Sequence, residues 1–201
     1  MNAALAVAHE RPRSALAPAR GGLYATLLGR AVDDVAPQIA ALHCSSGDTD
    51  ATALLTIGAR RGVVLGVLAR VTRLPQAGSV ELTRLRICRN AEGEAWVRTF
   101  GDRPSVTSWQ HGVEGLLCER FGVLEFRFVV AVRHGGLCFL QSSAAIVLAH
   151  RRLILPTSLA PRIRATVEPS ADAPIVRVSV DLPFLGRLLS YSGPVVRQAA
   201  R

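Results

Sequence analysis

Two charged side chains stand where a strand would turn them toward apolar surroundings. Arg98 is two residues from both Trp96 and Phe100, and Glu119 is two residues from both Leu117 and Phe121. Alternate residues of a strand share a face, and an inward charge is costly unless it meets a partner. One carboxylate and one guanidinium can move a proton and stabilise a developing negative charge. They can equally pair as a structural pin, and both alternatives stand at this point. Ser108 and Gln110 share a face with Val106, and Gln141 shares one with Phe139. Such groups either orient a ligand by hydrogen bonds or satisfy the backbone. Tyr191 offers a phenol, as a general acid or as a packing group with its hydroxyl at a rim. The candidate catalytic residues are therefore Glu119 and Arg98. The candidate substrate contacts are Trp96, Phe100, Ser108, Gln110, Phe121, Gln141 and Tyr191.

Other reactive types lack partners. His43 ends a short helical pattern, where a cation favours the helix dipole. His111, His134 and His150 have no nucleophile at a meaningful spacing, and neither G-x-S-x-G nor G-x-G-x-x-G occurs. Cys44, Cys88, Cys118 and Cys138 stand singly, with no C-x-x-C. Metal sites and redox dithiols need close pairs, so no metal and no cofactor is expected. Arg120 and Arg162 read as exterior or rim residues, and Asp181, on a face with Arg177 and Ser179, as solvated.

The elements that must position these residues change character along the chain. Tyr24, Leu27, Leu28 and Ala31 recur at helical spacing until Asp33 and Asp34, and Pro37 suits the first turn of a second helix. Ala53–Gly58 reads as a strand. Gly62–Arg73 reads as a helix with Val64, Leu65, Leu68 and Val71 on its inner stripe, Arg70 and Arg73 at its C-terminal end, and Pro75 beyond it. After Pro75 come short alternating runs: Val80–Arg89, Ala95–Phe100, Val106–His111, Gly115–Phe121, Leu124–Arg133, Leu137–Leu148, Arg162–Val167, Ile175–Leu182 and Leu188–Ser192. Their short connections require antiparallel neighbours, and closure removes exposed edges. The expected fold is mainly β (α+β): an antiparallel β-barrel or half-barrel of about nine or ten strands with two or three N-terminal helices. Arg151 to Pro161 is expected to form a loop across one mouth. Residues 1–22 read as a flexible tail, 23–196 as one barrel-like domain and 197–201 as a C-terminal tail.

Composition narrows the class. Of 201 residues, 49% are hydrophobic and only 5% aromatic, so the interior must be aliphatic and can leave space. All basic residues are arginine and the net charge is +9, but the arginines are scattered and no nucleic-acid-binding pattern accompanies them. No nucleic-acid partner is expected. The longest uncharged stretch, Gly135–Ala149, is too short to span a bilayer, and the first 22 residues lack a signal-peptide pattern, so a cytoplasmic location is expected.

A series of short motifs then occurs in a recognisable order. Leu23-Tyr24, Leu27-Leu28-Gly29 and Leu42-His43 open it, followed by Leu74-Pro75-x-Ala77-Gly78 and Glu94-x-Trp96-x-Arg98-x-Phe100-Gly101. Ser108-x-Gln110 and Gly115-Leu116-Leu117-x-Glu119-Arg120-Phe121-Gly122 come next. Leu159-Ala160-Pro161-Arg162 and Leu182-Pro183-x-Leu185-Gly186-x-Leu188-x-x-Tyr191-x-Gly193 close it. Together they resemble the bacterial family described as domain of unknown function 4166, over roughly residues 22–194. The resemblance implies a module found alone or fused behind short-chain or saccharopine-type reductase domains, sometimes with a small membrane module. It therefore implies a possible reductase partner, with this chain a standalone version. The family usually carries a Trp and a Leu-Gly-Ile-Pro-type turn where this chain has Ile146 to Pro156.

The expected function is a cofactor-independent isomerase or cyclase that binds a hydrophobic, polyketide- or isoprenoid-like molecule in an apolar barrel cavity. An apolar lumen can fold a flexible substrate into a reactive conformation, a contribution of up to roughly 7–11 kcal/mol in the best intramolecular cases. The alternative is a non-catalytic carrier of a lipid or other hydrophobic ligand, or an accessory module of a reductase.

Overall fold

The computed structural model describes residues 21–58, 62–71, 74–75, 77–149 and 151–198. The chain opens with α1 (Gly22–Leu28), a 3-10 turn (Gly29–Asp34) and α2 (Pro37–His43). Then come β1 (Thr49–Ile57), α3 (Val63–Val71), β2 (Val80–Asn90), β3 (Gly93–Phe100), β4 (Val106–Val113) and β5 (Leu116–Phe121). The remainder is strand: β6 (Leu124–Arg133), β7 (Gly136–Leu148), β8 (Arg151–Ile154), β9 (Arg162–Glu168), β10 (Ile175–Leu182) and β11 (Gly186–Arg197).

Every pairing is antiparallel. The order β6-β5-β4-β3-β2-β1-β11-β10-β9-β7 returns to β6 through a β6–β7 ladder, which closes a ten-stranded barrel; β8 adds to the outer end of β7. The expected barrel is thus present and closed. Two of its hairpins turn in two residues with positive φ at both, Glu114-Gly115 (53° and 78°) and His134-Gly135 (50° and 77°), as type I′ turns require. The first of these lets β4 run past His111 to Val113. Gly112 lies in that extension, against Leu23 and Leu27 of α1.

Several expectations need correction. Arg151–Pro161 is not simply a loop, since Arg151–Ile154 fold back as β8 along Ala145–Leu148. The cause is the length of β7: β9 pairs only with Leu137–Leu140, and the outer half of β7 would otherwise be an open edge. Two α-helices and a 3-10 turn precede β1, and the third helix follows it, where the Gly62–Arg73 pattern placed it. Within α3, Leu65 is buried as expected whereas Val64 is exposed. The last two residues of the expected Gly62–Arg73 helix lie outside the described residues, as do the side chains of 68–71. Of the expected tail 1–22, residues 1–20 lie outside them too, and Gly22 already opens α1. β11 continues to Arg197, and the end of the expected C-terminal tail, 199–201, lies outside the described residues.

The core runs from the helix-covered end to the mouth, where Ile57, Phe100, Phe126 and Leu189 are buried as well. Tyr24, Ile39 and Leu42 from α1 and α2 pack against Ile87, Trp96, Leu117, Phe128 and Leu137 from the barrel wall, all buried. Burial of such side chains stabilises by about 1.5–3 kcal/mol each. The helix-covered end is plugged. Toward the other mouth some inward-facing residues, among them Leu85, Arg98, Glu119, Ile163, Val178 and Tyr191, remain partly exposed. Part of the upper interior is therefore open to solvent.

Candidate functional site

β3 contributes one member to each of two Arg–Glu pairs in the interior. At the plugged end Glu94 faces Arg89 of β2, with Nε 3.0 Å from Oε1 and side chains only 4% and 2% exposed. Trp96 Nε1 donates to the other carboxylate oxygen at 3.1 Å. Arg89 also donates to the Leu42, Gly47 and Thr49 oxygens, at 2.7, 2.6 and 2.8 Å. It thereby ties the end of α2 and the approach to β1 onto the barrel. Burial raises the Glu94 carboxyl above its ordinary range despite the opposing charge of Arg89.

Above this pin the aromatic plug is stacked. The His43 ring lies 4.8 Å from Tyr24 and 5.2 Å from Trp96. Burial, reinforced by Arg89 and Arg98, lowers its pKa to about 3. The helix-dipole role expected for His43 is therefore corrected: the ring is neutral, and its Nδ1 has no hydrogen-bond partner among the described residues. A group whose folded pKa is depressed adds stability above its unfolded pKa and loses it as pH falls. Between pH 6.5 and 5 the loss should approach about 1.4 kcal/mol per pH unit. His43→Phe should keep the stack and flatten most of that slope in urea titrations at pH 6.5 and 5. His111, also lowered by burial, retains a residual slope. An unchanged slope would contradict the assignment.

The second pair opens onto the lumen. Arg98 on β3, Ser108 on β4 and Glu119 on β5 meet on adjacent strands. Arg98 Nη1 donates to Ser108 Oγ at 2.8 Å, Ser108 Oγ donates to Glu119 Oε1 at 2.6 Å, and Arg98 Nη2 lies 3.4 Å from that same oxygen. Two of the three contacts converge on Oε1; among the described residues no hydrogen bond engages Oε2. The side chains of Arg98 and Glu119 are 19% and 21% exposed although both point inward. Arg98 also lies over the Trp96 ring at 5.3 Å. Phe100 and Tyr191 approach at 6.1 Å. Tyr191 is half-buried in the lumen, where burial raises its phenol pKa, Arg98 opposes and Glu119 adds. Its hydroxyl therefore stays protonated. Thr83 Oγ1, beside Phe100 in the β2–β3 register, is buried with no partner among the described residues.

The remaining candidates separate. Gln110 is buried in the plug and accepts a hydrogen bond from Tyr24 Oη at 2.8 Å, and so does not face the open lumen. Phe121 lies exposed at the mouth. Gln141 faces inward at the bulge of β7, but its amide is engaged: Nε2 donates to Pro161 O at 2.9 Å and Oε1 accepts from Ile163 N at 2.6 Å. It stands in for the ladder that β8 and β9 leave unmade, beside an open cleft of about 600 Å³ that none of the Arg98, Glu119 and Tyr191 side chains lines. Asp181 is not simply solvated, since it pairs with Arg187 and Arg164.

Sequence reasoning missed Arg89, Glu94 and Tyr24. It also missed an outward cluster in which Glu125 Oε1 accepts from Arg152 Nε at 2.6 Å and from Arg127 Nε at 3.2 Å. Burial alone would raise the Glu125 carboxyl, but Arg152 and then Arg127 hold it below its usual range. The adjacent Cys118 thiol is pushed up to about 12 by burial and then by Glu125. All four cysteines are free. Among the described residues no group of three or more His, Cys, Asp or Glu side chains is placed to hold a metal ion, and no helix is long and apolar enough to cross a membrane.

With this geometry in view, the family model described as domain of unknown function (DUF4166) matches residues 37–194, from the first residue of α2 to the middle of β11. The chain belongs to the DUF4166 family. No curated protein and no solved structure matches. The match to DUF4166 takes in the whole barrel wall except the last residues of β11, together with the Arg98–Ser108–Glu119 group. It leaves α1 and Tyr24 outside. Within the match, residues 146–148 and 151–153 pair as the β7–β8 hairpin at the open mouth.

Proposed function

We propose that this barrel binds a hydrophobic small molecule of natural-product size, polyketide- or isoprenoid-like, in its open upper lumen and isomerises or cyclises it without a cofactor. The observation that carries the reading is the contrast between the two Arg–Glu pairs. A pair that serves only as a pin is sealed, as Arg89–Glu94 is at 4% and 2% exposure. Arg98–Glu119 faces the same interior and keeps a fifth of its surface open. Desolvating a charged pair without sealing it adds little to stability, so contact with a ligand gives its position a purpose.

In this reading Glu119 takes a proton through Oε2, Ser108 and Arg98 hold Oε1 so that the carboxylate keeps one orientation, and Arg98 stabilises negative charge that develops on the substrate. Tyr191, with its raised pKa, donates a hydrogen bond or a proton from the opposite wall. Trp96 and Phe100 bound the pocket below and beside the pair, with Leu85, Val178 and Val180 as aliphatic walls.

The test is a melting-temperature panel of isoprenoids, fatty acids and polyketides, with binding confirmed by native mass spectrometry. A true ligand at a hundred times its Kd should stabilise by about 2.7 kcal/mol. The lumen-filling Val178→Phe should abolish the shift. If no compound of these classes binds, or if Val178→Phe leaves binding intact, the lumen is not the site.

A further inference from the structure

Exposed large apolar side chains are distributed unevenly over this barrel. Because neighbouring strands are antiparallel, the β1–β2, β3–β4, β5–β6, β7–β9 and β10–β11 connections all lie at the open mouth. The β2–β3, β4–β5, β6–β7 and β9–β10 connections lie at the plugged end. At the mouth Val63, Val64 and Val67 of α3, Val123 of the β5–β6 turn, and Phe184 and Leu185 of the β10–β11 turn are all exposed. No connection at the plugged end presents an exposed large hydrophobic among the described residues. Phe184 is the extreme case: 90% exposed and held at φ 61°, a region that bulky residues rarely occupy. Backbone strain of that kind persists where function uses it.

Charge follows the same axis. Asp33, Asp34, Asp48, Glu92, Glu114 and Asp172 are exposed at the plugged end, where they outnumber the exposed Arg30, Arg133 and Arg197. The mouth instead carries the exposed Arg151 and Arg162, for which no ion pair forms among the described residues, together with Arg187, against the exposed acid Asp102. Such a dipole turns the mouth toward a negatively charged surface. The apolar groups stand on separate projections around an opening rather than along one groove, which suits entry into a fluid phase better than the fit of a folded partner. We propose that the open mouth docks on an anionic lipid bilayer. The Phe184–Leu185 tip and the exposed face of α3 enter the headgroup layer, and Arg151 and Arg162 meet lipid phosphates. The lumen then opens onto the membrane.

The test is co-sedimentation of the full chain with vesicles of phosphatidylcholine alone and of phosphatidylcholine with one third phosphatidylglycerol. Binding should favour the anionic vesicles and weaken as salt rises. The double variant Phe184→Ser, Leu185→Ser should bind them about ten-fold more weakly, with an unchanged melting temperature. Arg151→Glu with Arg162→Glu should remove the anionic preference, whereas Glu92→Gln at the far end should not weaken binding. Absence of binding to anionic vesicles, or binding that the Phe184–Leu185 variant leaves intact, overturns the proposal. So does light scattering that shows a dimer dissolved by that variant, since a second copy would then cover the rim.

Discussion

Glu119→Gln should lower turnover of a substrate identified by the ligand panel by about 10²–10⁴-fold, the usual cost of removing a general acid or base. Ligand binding and the melting temperature should stay close to those of the wild type. Gln keeps an acceptor for Ser108 Oγ, which now donates to Glu119 at 2.6 Å, and the Arg98 guanidinium left without its counter-ion is still partly solvated through the lumen. Steady-state kinetics alongside thermal melts separate the alternatives. Unchanged turnover with retained ligand binding would remove Glu119 from the chemistry, and a bound ligand that the wild type never converts would make the protein a carrier. A large drop in melting temperature would make the pair a structural pin. Tyr191→Phe provides the complementary arm: it should lower kcat with little change in KM if the phenol acts on the reacting atoms.

Arg89→Met should be the most destabilising of the substitutions considered, at about 3–5 kcal/mol, because it leaves the Glu94 carboxylate buried without its counter-ion. For a chain of this size the melting temperature should then fall by roughly 6–20 °C, at about 2–4 °C per kcal/mol. The same change removes the donors to the Leu42, Gly47 and Thr49 oxygens, so α2 should loosen from the barrel before the barrel itself opens. Hydrogen exchange should show the Pro37–His43 amides losing protection first. The double variant Arg89→Met, Glu94→Leu should recover much of the loss, since an apolar pair of similar volume removes the stranded charge. If the double variant is no more stable than the single one, the helix tether rather than the buried charge carries the energy.

The fold was largely legible in the sequence because alternation and turn residues are local properties. Leu124–Arg133 and Ile175–Leu182 match their strands end to end, and short connections alone implied the antiparallel ladder. Closure was not a local property. It depends on Leu137–Leu140 meeting Arg164–Val167 while the outer half of the same strand meets a four-residue β8, too short to show alternation. The inward placement of Arg98 and Glu119 followed from apolar neighbours two residues away. Ser108, as the hydroxyl joining them, needed the register of three strands. Glu94 obeys the same two-residue rule with Trp96, but it stands at the start of β3, beside the Asn90–Gly93 turn, where strand phase is hardest to read. Tyr24 was legible as a helix residue; its bond to Gln110 spans 86 positions, and no local pattern encodes it.

The β1–β11 ladder also has a consequence in time. Ala51 to Ile57 pair with Tyr191 to Arg197, so one edge of the first strand has no partner until the last strand has left the ribosome. Until then the growing sheet has two open margins, one on β1 and one on whichever strand has just emerged. Contacts between such distant segments make folding slow, and unpaired margins invite association with other chains. A nascent chain halted before Gly186 is therefore a sheet with an unsealed seam. Its hazard is aggregation during synthesis, and fusing the last strand ahead of the first would only move the seam to the β10–β11 ladder.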